Sequence, residues 1–428
     1  MQDVFAELQQ RGLVHQTTDP NLGAWLREKR RTVYLGIDPT ADSLHVGHLV
    51  ALMTLRRFQK AGHRPIAVIG GATGMIGDPS GKTEERQLLS RETLQANIAG
   101  MTPQLERFLD FDRGPTSAFL VNNYDWIGPI SYLDFLRDVG KHVPVAVMLS
   151  KESVRSRLER SEGGLSYTEF SYMLLQAYDF VHLCRTYGCE LQIGGSDQWG
   201  NITAGIDLAR RICGVQLYGL TCPLLTRSDG AKMGKTEAGA VWLSPERTSP
   251  YQFYQYWINL PDADVGVCLR FFTELEPEEI EAALADHHQD PSLRKGQKLL
   301  AGELTRLVHG EEALAAARRA SEILFGAQIE HLSDAELQAI FADVPSRRLS
   351  RGRLEGEGLS IVEALWEAGL AKTRSEARRL ISQGGVYLNN RRVENMEYRL
   401  GPGDLASQTI LVLRTGKKNY ALLRFGQD

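Results

Sequence analysis

The first half of the chain is predicted to be α/β, a parallel Rossmann-like sheet of the nucleotide-binding kind, followed by an α-helical domain and a small α+β domain. Three observations predict it. Short β-branched, apolar runs at Thr32–Ile37, Pro65–Ile69 and Glu190–Ile193 each end in a turn bearing glycine or proline and lead into helical periodicity, as repeated βαβ units do. From residue 246 to 325 the apolar spacing is helical (246–258, 276–287, 293–308, 311–325). From residue 351 the chain turns basic and reads as helix, turn, helix and hairpin.

At 428 residues the chain is long enough for two or three domains with a large core. A hydrophobic fraction of 43% and a charged fraction of 24% are those of a soluble globular protein and exclude a disordered or fibrous chain. The net charge of −4 conceals an asymmetry: residues 351–428 carry 13 Lys and Arg against 9 Asp and Glu, and the remainder 36 against 44. A basic tail on an acidic body points to a polyanionic partner. Five cysteines, odd in number and without a C-x-x-C pair, read as reduced thiols of a cytoplasmic protein, with neither zinc nor a disulfide framework. Asp3 and Glu7 interrupt the N-terminal apolar residues, which suit an amphipathic helix with Val4, Phe5 and Leu8 on one face rather than a signal peptide. No apolar run approaches the roughly 18–20 residues of a membrane span, so no membrane partner is expected.

In chain order, the buried strand Thr32–Ile37 is broken by Asp38-Pro39, and Leu44 to Leu55 has helical spacing with His45 and His48 in its first turn. A helix start at the end of a parallel strand is where open α/β sheets offer unpaired N–H groups to phosphate. Gly47 leaves backbone bare for a purine. The competing readings are a surface helix or zinc ligands, but zinc pairs on helices want i, i+4 spacing and these histidines are i, i+3. The turn Gly70–Thr83 looks like a P-loop and departs from it: where G-x-x-x-x-G-K-[ST] needs its first glycine stands Ile76, and the carboxylate of Asp78 would repel phosphate. Asp78 suits an ammonium. Lys82 and Arg86, four apart, are either solvated or a phosphate clamp. Residues 88–160 alternate helices with short strands (118–122, 143–148), and Asn123–Trp126 and Asp134–His142 line either a pocket or a subunit interface.

Tyr167–Phe180 is helical, with Tyr172, Gln176 and Asp179 on one face among Phe170, Leu174, Tyr178 and Phe180. A half-buried polar row must find partners, either within the protein or in a small hydroxyl-bearing ligand. After the strand at 190–193, the turn G-G-S-D-Q-W-G-N puts Asp197 and Gln198 at a strand's C-terminal edge, where a carboxylate suits ribose hydroxyls. K-M-G-K-T at Lys232–Thr236 follows a Ser-Asp-Gly turn and makes a movable positive cluster.

H-V-G-H after the first strand and K-M-G-K-T after the last resemble the two signatures of class I aminoacyl-tRNA synthetases. The strings D-P-T-A-D-S-L-H-V-G-H, G-G-A-T-G-M-I-G-D-P-S-G-K-T, F-S-Y-M-L-L-Q-A-Y-D and Q-I-G-G-S-D-Q-W-G-N are together similar to the bacterial tyrosyl-tRNA synthetase family, over essentially the whole chain. The resemblance implies a ligase that activates L-tyrosine with ATP, with Mg²⁺ arriving on the nucleotide, releases pyrophosphate, and transfers tyrosyl to the terminal adenosine of tRNA(Tyr). It implies Tyr34 and Asp179 on the substrate phenol; Tyr172, Gln176 and Asp78 on its ammonium, with Gln192 in the same pocket; Asp38, His48, Asp197, Gln198 and Lys235 toward ATP; and Thr40, His45, His48, Lys82, Arg86, Lys232, Lys235 and Thr236 in catalysis. It also implies a homodimer. Val46, Gly234 and Thr236 depart from the usual isoleucine, serine and serine of the two motifs.

The expected domains are 1–222 catalytic, 223–325 carrying the lysine loop and the helices on the anticodon side, 326–350 a linker, and 351–428 similar to the small RNA-binding domain of a ribosomal small-subunit protein. In that last domain Arg374, Arg378, Arg379, Arg391, Arg392, Lys417 and Lys418 would hold the tRNA backbone. The rivals are the tryptophanyl branch, an H-x-G-H nucleotidyltransferase, which lacks the C-terminal domains, and an RNA-binding protein on a scaffold that has lost catalysis.

Overall fold

The computed structural model describes residues 2–80, 88–112, 114–151, 154–155, 158, 165–230, 233–236, 239–329, 332–341, 344–417 and 419–426. It divides into two compact units, residues 1–249 with 256–308, and residues 250–255 with 309–428.

The first unit is built on six strands: β1 (Gln16–Thr17), β2 (Thr32–Ile37), β3 (Arg64–Ile69), β4 (Phe119–Asn122), β5 (Cys189–Gly195) and β6 (Tyr218–Cys222), ordered β1-β6-β5-β2-β3-β4. All neighbours are parallel except β1, which runs antiparallel to β6. The chain leaves β2 toward β3 and β4 on one side and returns to β5 and β6 on the other, so β2 and β5 flank a switch point. Helix α1 (Leu49–Lys60) follows β2, and helices α2 (Tyr167–Tyr187) and α3 (Trp199–Cys213) flank β5 in sequence. Tyr34, Ile66 and Val68 pack with Phe180, Val181, Leu183 and Leu208 in one buried cluster. Gly205 lets α3 approach α2, since a Cβ there would stand 3.2 Å from Phe180.

Several elements differ from expectation. The helix after β2 begins at Leu49 rather than Leu44, preceded by a 3-10 turn at Val46–His48. Residues 143–148, expected as a strand, contain the helix Val145–Leu149: Pro144 presets its entry with φ −65° and no strand lies beside it to pair. Asp262–Phe272 is an additional helix whose β-branched run hid its period; Asp262 and Asp264 favour its first turn. The helix expected over 246–258 starts at Pro250, while Pro277–Gln289, Lys295–His309 and Glu311–Leu324 lie close to expectation.

The second unit carries a five-stranded sheet of β7 (Ser346–Ser350), β8 (Val386–Leu388), β9 (Arg391–Arg392), β10 (Ile410–Thr415) and β11 (Asn419–Gly426), ordered β9-β8-β10-β11-β7, with β7 parallel to β11 and the others antiparallel. The stretch 326–350, expected as a linker, thus supplies β7 as well as the helix Asp334–Ile340. Alternation along β10 feeds two cores. Leu411 and Leu413 face the cluster of helices α4 (Ile361–Glu367) and α5 (Arg374–Ser382), whereas Ile410 and Val412 pack with Ile323, Leu337 and Phe341.

The β8–β9 turn places Asn389 and Asn390 at φ 48° and 64°, the left-handed pair that a two-residue hairpin requires. Asn390 also donates to the carbonyls of Ile323 (2.7 Å) and Ala327 (2.8 Å) and accepts from Arg414 Nε (3.0 Å) and the Tyr420 hydroxyl (3.1 Å). Asn390→Ala strips four largely buried partners at once. We expect a loss of about 2–4 kcal/mol in the unfolding of this unit, read from urea melts of the full chain.

Candidate active site

The site is assembled where the parallel strands end. Asp38 follows β2, Thr73 follows β3, Asn123 follows β4 and Gln198 follows β5, so four turns converge at the C-terminal edge beside the switch point.

On its floor lies a chain of hydrogen bonds. Buried Asp179, on α2, accepts from the Trp126 indole (2.8 Å) and from Asn123 Nδ2 (3.0 Å). Asn123 Nδ2 also donates to Thr73 Oγ1 (3.0 Å), Thr73 donates to Asp38 Oδ1 (2.7 Å), and the Tyr172 hydroxyl donates to Asp38 Oδ2 (2.8 Å). Burial raises the Asp179 carboxyl to about 7, despite the two donors that favour its ionised form, and the Asp38 carboxylate pushes in the same direction. Tyr34 lies opposite Gln192 across the β2–β5 pairing and meets Phe180 edge-on with ring centroids 5.1 Å apart. Burial and then the nearby Asp179 raise the Tyr34 phenol well above its ordinary range, and its hydroxyl has no hydrogen-bond partner among the described residues. Gln176 Oε1 and Gln192 Oε1 are likewise buried without a partner.

A second network joins α2 to α3. Gln198 Nε2 donates to Asp78 Oδ2 (2.7 Å), and Gln198 Oε1 accepts from Gln176 (3.2 Å) and Asn201 (3.1 Å). The Ser80 N–H donates to the other Asp78 oxygen (2.8 Å).

The histidine segment is held by its own backbone. His45 caps the 3-10 turn: its Nδ1 accepts from Gly47 N–H (3.0 Å), while the His45 N–H donates to His48 Nδ1 (3.1 Å). The rings lie 4.0 Å apart, and burial followed by the neighbouring His45 lowers His48 to about 3. At neutral pH His48 is therefore an uncharged imidazole with its proton on Nε2. The segment pairs with the stretch after the lysine loop, Val46 N–H donating to Val241 O (3.0 Å) and Val241 N–H to Gly234 O (2.8 Å). Lys235 and Thr236 stand exposed in a short ladder with Gly239 and Ala240, and Thr40 and Asp197 are exposed as well.

The structure therefore brings Tyr34, Asp78, Tyr172, Gln176, Asp179 and Gln192 to one place. Two residues expected toward ATP also make hydrogen bonds within this group. Asp38, expected toward ATP, is tied to Tyr172 and Thr73, because a carboxylate at a strand end must find donors. Gln198, also expected there, binds Asp78 and Gln176. Lys82, Arg86 and Lys232 lie outside the described residues. Asn123 and Trp126 fall in the stretch read as lining either a pocket or a subunit interface, and the pocket is where they stand. Thr73 and Asn201 escaped the sequence reading, their signal being position, in the turn after a parallel strand or in the first turn of α3.

In the second unit Arg374, Arg378 and Arg379 are exposed on α5, Arg391 and Arg392 on β9, and Lys417 just past β10; Lys418 lies outside the described residues. Arg374 stacks on Trp366 (5.2 Å) and Arg392 pairs with Glu394 (3.7 Å).

A family model described as tRNA synthetases class I (W and Y) matches residues 26–326, and the chain belongs to that family. A second, the tyrosine--tRNA ligase SYY-like C-terminal domain, matches residues 336–423. Tyrosine--tRNA ligases of Rhodopirellula baltica and Roseiflexus castenholzii are 59% and 54% identical, covering 98% and 99% of this chain and 96% and 100% of theirs. The crystal structure of a C-terminally truncated mitochondrial tyrosyl-tRNA synthetase from Aspergillus nidulans aligns with a TM-score of 0.69 at 32% identity, over 76% of this chain and 95% of that one. Within the class the chain is a tyrosine--tRNA ligase of the bacterial kind.

One departure from the class motif has a steric basis. Gly234 sits at φ +80°, and a Cβ there would stand 2.7 Å from Val46 Cβ. We expect Gly234→Ser to destabilise the first unit by about 1–2 kcal/mol. Val46→Gly in the same chain removes that Cβ and should recover part of the loss, a coupling read from a double-mutant cycle of urea melts.

Proposed function

We propose that the convergent turns carry out tyrosine activation and that the basic face of the second unit holds tRNA(Tyr). Tyr34 and Asp179 take the substrate phenol; Tyr172, Gln176 and Asp78 take its ammonium, with Gln192 beside them. The observation that carries this reading is the set of buried polar atoms without partners, Tyr34 Oη, Gln176 Oε1 and Gln192 Oε1, next to a buried carboxylate. A site built to hydrogen-bond a hydroxyl rejects an analogue lacking it.

The tyrosine carboxylate attacks the α-phosphorus of ATP in line; the new O–P bond forms as the bond to the bridging oxygen breaks, and pyrophosphate leaves with the electron pair. The nucleophile is already ionised, so catalysis is positioning and stabilisation of charge on the phosphates. His48 serves as a neutral donor, in keeping with its lowered pKa. His45, Thr40, Lys235 and Thr236, with Lys82, Arg86 and Lys232, supply the rest of the phosphate side; Asp197 takes the nucleoside. Mg²⁺ would arrive with ATP and offset charge on its phosphates, while the imidazoles, hydroxyls and lysines of this side would hold those phosphates. Tyrosyl then passes from the adenylate to the terminal adenosine of the tRNA.

A homodimer is supported by exposed apolar side chains on the first unit, among them Tyr132, Leu133, Val145 and Tyr167. A cytoplasmic location accords with five free cysteines. Among the described residues no helix is long and apolar enough to cross a membrane.

Pyrophosphate exchange into ATP, driven by each of the twenty amino acids without tRNA, tests the reading; exchange with an amino acid other than tyrosine would overturn the pocket assignment. Discrimination against phenylalanine should reach roughly 10⁵, a value known for tyrosyl-tRNA synthetases themselves rather than obtained from this geometry. Because the Asp179 pKa is raised, its carboxyl in the free enzyme is protonated below about 7 and ionised above. We therefore expect kcat/KM for tyrosine to rise with pH through that value, and Asp179→Asn to lower the plateau and abolish the limb.

For tRNA, replacing Arg378, Arg379, Arg391 and Arg392 together by alanine should leave exchange intact and lower aminoacylation by at least tenfold, the scale of several lost phosphate contacts. Charge replacement is a cleaner test than deleting residues 351–428, since deletion would uncover Ile323, Leu337 and Phe341. Equal loss of both half-reactions would refute the division of labour.

A further inference from the structure

Trp126 has two sides. Its indole N–H is committed to Asp179, while its ring stacks on His182 with centroids 4.4 Å apart and planes 8° from parallel. The same tryptophan lines a cavity of about 490 Å³ beside the end of β4. Among the described residues strand β4 pairs with β3 alone and forms an edge of the sheet. Its volume lies in the range of small-molecule sites.

The chemistry of the walls selects a ligand. Ile98 and Leu120 are apolar lining residues that suit a flat ring, while Val121, the next residue of the strand, faces the other side of the sheet with Trp126. Asp125 carries the one full charge among the lining residues: His182 also lines the cavity, and burial lowers its pKa, so it is neutral at pH 7. Asp125 is exposed and has no ion-pair or hydrogen-bond partner among the described residues. It lies next in the chain to Trp126, on the short helix Tyr124–Ile127.

We propose that this cavity is a second ligand site, for a small cationic aromatic amine, and that its occupation acts on tyrosine recognition through Trp126. The ring would lie against Ile98 and Leu120 with its ammonium on Asp125. A ligand there shares a wall with the substrate pocket, and any shift of the indole alters the donor on Asp179. The coupling rests on the reading of Asp179 as the partner of the substrate hydroxyl; the binding does not.

The test uses 1-naphthylmethylammonium, whose two fused rings exceed a single phenol, with the full-length enzyme. Its binding is followed by calorimetry with and without saturating tyrosine, and its effect by pyrophosphate exchange. We expect binding that persists under saturating tyrosine, and a rise in the tyrosine KM of at least about fivefold, the low end of coupling between sites, with the ATP KM unchanged. Asp125→Asn should weaken binding roughly threefold, the scale of an exposed ion pair. Ile98→Phe, which fills the cavity, should abolish binding, and both variants should keep normal exchange without the amine.

Purely competitive behaviour against tyrosine, unchanged in both variants, would put the amine in the tyrosine pocket and overturn the proposal, as would no binding at all. Binding sensitive to Asp125 with an unchanged tyrosine KM would overturn the coupling. Failure of the Asp179 reading itself is recognised separately, by an Asp179→Asn enzyme that discriminates tyrosine from phenylalanine normally.

Discussion

A buried carboxylate is the constraint on which the first unit turns. Asp179 lies on a long helix packed behind a parallel sheet, and its two bound donors, Asn123 and Trp126, come from the turn after the edge strand β4. Taking an ionised carboxylate out of water costs several kcal/mol unless donors replace the lost solvation. Here the replacement is partial, and the pKa rises to about 7. The consequences spread outward: β4 must end where Asn123 can also hold the Ala72 N–H (2.7 Å) and Thr73, and Thr73 in turn fixes Asp38 at the end of β2. One helical residue thereby orders the ends of three strands.

The opposite end of the site obeys the same physics with the opposite sign. Burial that keeps protons on Asp179 keeps them off His48. Both groups approach neutrality, and on the proposed assignment they would meet substrates that carry an ammonium, a carboxylate and a row of phosphates. Neutral donors and acceptors held in place by backbone are suited to that task, since they need not exchange a charge with solvent before they act. The backbone pairing of Val46 with Val241, and of Val241 with Gly234, gives the histidine segment its rigidity, and Gly234 is the residue that the close approach to Val46 admits.

Much of this was legible in the sequence because it rests on local pattern. Strands β2, β3 and β5, the helix bearing Tyr172, Gln176 and Asp179, and the Asn389-Asn390 hairpin each announce themselves by period or by turn chemistry. What escaped depends on partners far away in the chain. The sequence leaves Asn123–Trp126 between a pocket and an interface, because the choice rests on Asp179, which α2 delivers some fifty positions later. The run at 143–148 looks extended because valine alternates there, yet a strand needs a neighbour and the proline favours a helical entry. Strand β7 sits in an arginine-rich stretch whose polarity suits a linker; it is a strand only because β11 presents a free edge to it.

On the proposed assignment, specificity in this site follows from polar atoms that the described residues leave unsatisfied. Tyr34 Oη, Gln176 Oε1 and Gln192 Oε1 are buried and unpaired among the described residues, and each such atom costs about 1–3 kcal/mol. A core optimised for stability alone would replace them with carbon. Retaining them lowers the stability of the fold and raises the discrimination available to the site, because a ligand that pairs them recovers that cost and one that cannot leaves it standing. Rejection of phenylalanine would then follow from the hydroxyl it lacks, without any steric exclusion, since the two rings are nearly the same size.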